Sequence, residues 1–197
     1  MCLVSENDTI RKQMVRWESP RGARFVTFSC YKRQPVLLNP HIADLFARRM
    51  RECLSRYDVK LLAWVVMPEH VHLLVERGLH DELDRPLALM KQRLAQVVIR
   101  RWQSLDSQNA RMCLELIQDD QGNRRFWQRG GGFDRNIRDE AELLKTIHYI
   151  HHNPVKRGLV GDPTAWRWSS ARWWMGKHDD EVPCDIPRSL VLWRGFI

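Results

Sequence analysis

Apolar and polar positions alternate with a period of two in some stretches of this chain and with a helical period in others. Arg24-Phe25-Val26-Thr27-Phe28-Ser29-Cys30 alternates, which predicts a strand that ends before the basic turn Tyr31-Lys32-Arg33-Gln34-Pro35. Residues 59–67 are rich in β-formers, and residues 70–76 alternate again after Pro68-Glu69. VVMPEHVHLLVE therefore reads as two antiparallel strands joined by a tight turn. Residues 112–118 predict a further short strand, followed by the turn Asp119-Asp120-Gln121-Gly122-Asn123.

Three segments carry the helical period. Asn39-Pro40 is a helix start, with Ile42, Leu45, Phe46 and Met50 at helical spacing and an end near Arg56. Residues 85–102 place Leu87, Met90, Leu94, Val97 and Val98 on one face. The glycines 130–132 then lead into Phe133-Asp134 and a helix from about Arg138 to His152. Asn153-Pro154 is expected to end that helix, because a residue before proline is disfavoured in the helical region. The order β-α-β-β-α-β-α predicts an α+β, ferredoxin-like sandwich: an antiparallel sheet with helices packed mainly on one face. One domain over 24–175 is expected, with an N-terminal extension, 1–23, and a C-terminal tail, 176–197.

Composition narrows the class of protein. Hydrophobic residues make up 44% and charged residues 28%, which fits a globular domain and excludes a disordered or fibrous chain. No apolar run approaches the roughly 18 residues a membrane span needs. MCLVSENDTIRK lacks the layout of a secretory signal, so the cytoplasm is the expected location. Cys2, Cys30, Cys53, Cys113 and Cys184 show no short spacing, which excludes a zinc ribbon or CxxC motif and argues against a disulfide framework. The net charge of +8 points to a polyanion, and the basic excess lies in residues 1–60 and 86–138, on either side of a mildly acidic segment.

The candidate chemistry begins with His70-Val71-His72. On a strand, residues i and i+2 share a face, so both imidazoles can converge on one metal ion while Val71 packs into the core behind them. A pair of solvated histidines would fit the same dipeptide spacing. Tyr149 and Asn153 stand at i and i+4 on the last helix and share a helical face. Each has a plainer role open to it, Tyr149 as a rim residue and Asn153 as a helix cap. Together the four suit phosphodiester cleavage. A divalent cation, Mg²⁺ or Mn²⁺, on His70, His72 and the Asn153 carbonyl would polarise a phosphate while the Tyr149 hydroxyl attacks phosphorus.

MPEHVHLLV (67–75), FWQRGGGFDRNIR (126–138), YIHHNPVKRGLV (149–160) and WRWSS (166–170) resemble the HUH single-tyrosine transposases of the insertion-sequence-two-hundred type, and within them the REP-associated tyrosine transposases. The resemblance runs from about Arg24 to Trp174. It implies metal-dependent cleavage and rejoining of single-stranded DNA at hairpin-bearing sites. By this resemblance His70, His72 and Asn153 bind the metal and Tyr149 forms a 5′-phosphotyrosine, freeing a 3′-OH. Lys32, Arg33, Arg124, Arg125, Arg129, Lys156 and Arg157 are the candidate phosphate contacts, and Trp127 the candidate base-stacking residue. Monomer and homodimer are both open, and with them whether Tyr149 acts within its own chain. The competing readings are a non-catalytic single-stranded nucleic-acid binder on the same fold and a hydrolase that activates water at the histidine pair.

Overall fold

The computed structural model describes residues 22–77, 83–130, 132–177 and 182–186. Four strands, β1 (Ala23–Ser29), β2 (Lys60–Val66), β3 (His70–Glu76) and β4 (Phe133–Asn136), form one antiparallel sheet in the order β2-β3-β1-β4. Helices α1 (Pro40–Arg56) and α2 (Asp84–Ser104) connect the strands in the split β-α-β manner of a ferredoxin-like sandwich, with α3 (Gln108–Leu116) after α2. These three form the larger helical layer, on one face. Helix α4 (Glu140–Lys156) covers the other face, and a single turn, α5 (Ala171–Trp174), follows. Of the expected extension 1–23, all but the last two residues lie outside the described residues, as does most of the tail 176–197.

Strand parity sorts the residues between the two layers. Val26, Phe28, Val71, Leu73 and Val75 point to α1 and α2, where Phe46, Met50, Met90 and Leu94 complete an apolar core. Phe25, Leu74, Ala63 and Val65 point to α4 and meet Leu143, Ile147 and Ile150. β2 reaches this arrangement through a bulge between Leu61 and Ala63, which shifts its alternation by one residue. The outer edge of β2 is covered, which blocks pairing with other chains. Val66 N donates to Trp168 O, Trp64 N donates to Ser170 Oγ, and Leu61 exchanges backbone and side-chain bonds with Asp185. Trp166 and Trp174 also donate their indole N–H groups to β2 carbonyls, so these tryptophans serve packing.

The structure corrects two sequence expectations. Residues 112–118 are not a strand, since residues 108–116 are helical. Ser107 caps the helix by accepting from Ala110 N, and Ala110 and Leu114, four apart, face the core while Met112 and Leu116 are exposed. A seven-residue run fits both periods, and the cap decides. The fourth strand lies instead at Phe133–Asn136, a short polar edge strand held to β1 by its backbone ladder and by the Arg24–Asp134 ion pair. The second correction concerns Asn153-Pro154, which do not end α4. Pro154 lies two residues before the last helical residue, Lys156, so the N–H bond to Ile150 that it cannot make is lost only in the final turn. The end is closed by Arg157 N to Asn153 O and Leu159 N to Pro154 O. Asn153 is thus a buried residue within the helix rather than its cap.

Candidate active site

His70 and His72 share the α4 face of β3 and are 6% and 5% exposed. Their Nε2 atoms are 3.0 Å apart, and the other ring nitrogen of each is held from behind. His70 Nδ1 lies 3.1 Å from Glu69 Oε1, an acceptor only, so its hydrogen belongs on that nitrogen and Nε2 keeps a lone pair. His72 Nδ1 lies 2.7 Å from Thr27 Oγ1, because the β1–β3 register sets Thr27 directly opposite His72. Both rings are therefore oriented with Nε2 toward one point, the arrangement in which outer partners fix metal-binding imidazoles.

Glu69 ties three elements together. Its Oε1 also accepts from Arg33 Nη2 and Arg157 Nη1, both at 2.9 Å, which joins the end of α4 and the turn after β1 to the β2–β3 hairpin. Its own backbone is pinned, since Cys30 N donates to Glu69 O and Leu37 N to Pro68 O. Lys32 and Arg33 both take left-handed backbone angles, φ 48° and 54°, which costs about 1–2 kcal/mol each for non-glycine residues. Lys32 N to Gln128 Oε1 and Arg33 to Glu69 offset part of that cost.

Burial, with the neighbouring His70 and Arg33 charges, pushes the His72 imidazole down to about 3. Burial also lowers His70, although Glu69 opposes the shift. Both rings are neutral at pH 7, the form that binds a metal. Burial would raise Glu69, but His70, Arg157 and Arg33 outweigh it and hold the carboxyl below its usual range.

From α4, Tyr149 places its ring 5.4 Å from the His72 ring and 5.9 Å from Phe25, and it is 42% exposed. Nucleophile candidate and histidine pair thus meet within one chain. Asn153 is buried one turn further along α4. No third His, Cys, Asp or Glu joins the pair among those residues. The expected donors are His70 and His72, whose Nε2 atoms converge, and the Asn153 carbonyl on the facing helix. A separation of 3.0 Å would let both nitrogens bind one cation.

The candidate DNA contacts separate in space. Arg33 and Arg157 converge beside His70, with side chains 62% and 48% exposed. Arg125 is paired with Asp119, and Lys32 lies 3.9 Å from Asp120. Arg124, Arg129 and Lys156 are exposed. Trp127 is packed against Phe28, Phe46 and Phe126 and donates its N–H to Lys91 O, which commits its ring to the core. Sequence reasoning missed Thr27, whose role depends on strand register, and the role of Glu69, although its position next to His70 was a usable signal. It also missed the task of Gly132, where a Cβ would sit 1.5 Å from Thr27 O, so only glycine fits beside the residue that holds His72.

The family model described as "Transposase IS200 like" matches residues 23–153. A Haemophilus influenzae protein described as a REP-associated tyrosine transposase is 25% identical over 150 residues, covering 76% of this chain and 79% of that one. The solved structure of a REP-associated tyrosine transposase bound to a REP hairpin superposes with a TM-score of 0.62 at 18% identity, covering 87% of this chain and 96% of the other. Among the described residues no helix is long and apolar enough to cross a membrane.

Proposed function

The chain belongs to the IS200-like transposase family, and from that premise we propose that it cuts and rejoins single-stranded DNA at hairpin-bearing sites through Tyr149. The observation that carries this reading is the convergence of the two Nε2 atoms 3.0 Å apart with the Tyr149 ring beside His72. The DNA-bound solved structure supports a hairpin as the partner. The Tyr149 ring lies beside His72 of its own chain, which supports action of the tyrosine within one copy. Its place of work is the cytoplasm.

The hydroxyl of the part-exposed Tyr149 gives up its proton to water, and its oxygen bonds to phosphorus. The bond from phosphorus to the 3′ oxygen breaks, and that oxygen takes a proton to become a 3′-OH. The 5′-phosphotyrosine keeps the energy of the phosphodiester, so another 3′-OH can reverse the step. His70, His72 and Asn153 would hold Mg²⁺ or Mn²⁺, which supplies Lewis-acid polarisation of the phosphate. Arg33 and Arg157, anchored on Glu69, hold phosphates next to the reacting one.

The test is incubation with single-stranded hairpin DNA from the flanks of the protein's own gene, with and without Mn²⁺, read on a denaturing gel. A protein–DNA adduct that needs the metal is expected. Tyr149→Phe abolishes the adduct and leaves binding intact, and an undiminished adduct in that variant overturns the reading. Binding indifferent to chelation, without cleavage under any divalent ion, is the outcome that favours a non-catalytic binder.

A further inference from the structure

Past the histidine pair, the sheet face under α4 opens into a groove of about 540 Å³ between β4 and the first half of the helix. That volume is within the range of small-ligand sites. A file of rings leads into it from the histidines. His72 and Phe25 lie 5.3 Å apart, and Phe25 meets Tyr149 and Phe133 edge-on at 5.9 and 5.8 Å. Phe133, at the outer end, is 48% exposed and lines the groove from an edge strand whose other side chains are polar.

The charge around the groove favours an anion. Arg135, Arg138 and Lys145 face Asp139 and Glu142, which leaves one positive charge in excess. Glu142 is shared by Arg135 and Arg138, and Asp139 is occupied in capping α4. Lys145 makes no ion pair among the described residues. It stands four residues before Tyr149, on the same helical face.

We propose that this groove binds an unpaired nucleotide, with the base stacked on Phe133 and the phosphate held by Lys145. On the reading of Tyr149 given above, that nucleotide flanks the scissile phosphate. An exposed ring and a lone cation at the edge of a sheet are the two elements with which proteins hold single strands. A base inside a duplex is already stacked and gains nothing from Phe133, so the groove selects single-stranded DNA over paired DNA.

Binding is measured on Tyr149→Phe protein, where no strand is cut, using short single strands with a 2-aminopurine moved stepwise along them. A hairpin without a single-stranded flank is the paired control. At one position fluorescence is quenched on binding, and Phe133→Leu abolishes that quench and lowers affinity about 10-fold. Phe133→Trp restores both, which separates stacking from a fold defect. Lys145→Ala, on the exposed face of α4, lowers the slope of log K against log salt by about 0.7, the value for one phosphate on a single strand. The proposal is overturned if Phe133→Leu binds and quenches like its parent, or if the paired hairpin loses as much affinity as the single strand. A Phe133-dependent quench in a protein that makes no adduct with Tyr149 present removes the nucleophile assignment and keeps the groove. An adduct alongside Phe133-independent binding does the reverse.

Discussion

The two faces of the sheet are built from the same strands and do different work. Toward α1 and α2, the β1 and β3 side chains in the core are apolar: Val26, Phe28, Val71, Leu73 and Val75. Toward α4, the alternate positions of those strands carry Phe25, Thr27, His70 and His72, and the helix brings Tyr149 down onto Phe25 and His72. One layer stores stability, while the other spends some of it on buried polar groups that are satisfied only in one geometry. A period of two keeps the tasks apart, although the α4 face also carries an apolar cluster of its own around Phe25, Leu74, Leu143 and Ile147.

The largest effect that sharpens this contrast belongs to the apolar layer. Phe46 is fully buried against Phe28 and Trp127, so Phe46→Ala costs about 3–5 kcal/mol in a urea titration. Adduct yield per folded molecule stays unchanged, and a fall in that yield as deep as the loss of stability erases the division of labour. On the other face, Glu69→Ala frees His70 Nδ1 and two exposed arginines. Mn²⁺ affinity by calorimetry drops about 10–100-fold, with a smaller change in melting than Phe46→Ala produces. Thr27→Val keeps the shape of the strand and removes the hydroxyl behind His72. Its loss of Mn²⁺ affinity is about 10-fold, the lower end of the same range.

The smallest effect is one of pH. His151, on α4, is buried against Ser170, and burial, with His152 and His148, lowers it to about 4. Its unfolded value is near 6.5, so the unfolded chain binds the proton first. The stability His151 contributes is complete above pH 6.5 and is lost as the pH falls toward 4. Between pH 7 and 5.5 the loss is about 1 kcal/mol. Thermal melts at the two values, compared with His151→Asn, measure it, and an equal pH response in the variant removes His151 as the source.

Much of the site was legible because its signals are local. The i, i+2 spacing of His70 and His72 puts both rings on one strand face, and the i, i+4 spacing of Tyr149 and Asn153 puts both on one helix face. The hairpin, α1, α2 and most of α4 follow from periods and caps in the same way. The misread segments are those where local signals tie. Residues 112–118 fit a strand and a helix equally until the Ser107 cap is weighed. Phe133–Asn136 has almost no strand signal because backbone pairing with β1, rather than its own side chains, holds it in the sheet.

Sequence alone therefore determined which side chains are the candidates for the chemistry and which face of its own element each one occupies, since strand and helix periods depend on the chain's immediate geometry. Tertiary structure decided what stands behind them. Thr27 reaches His72 across a register spanning 45 residues, Glu69 gathers Arg33 and Arg157 from opposite ends of the domain, and Gly132 passes over Thr27 too closely for any side chain. Those contacts join segments far apart in the chain, and the packing of the layers on both faces of the sheet selects them.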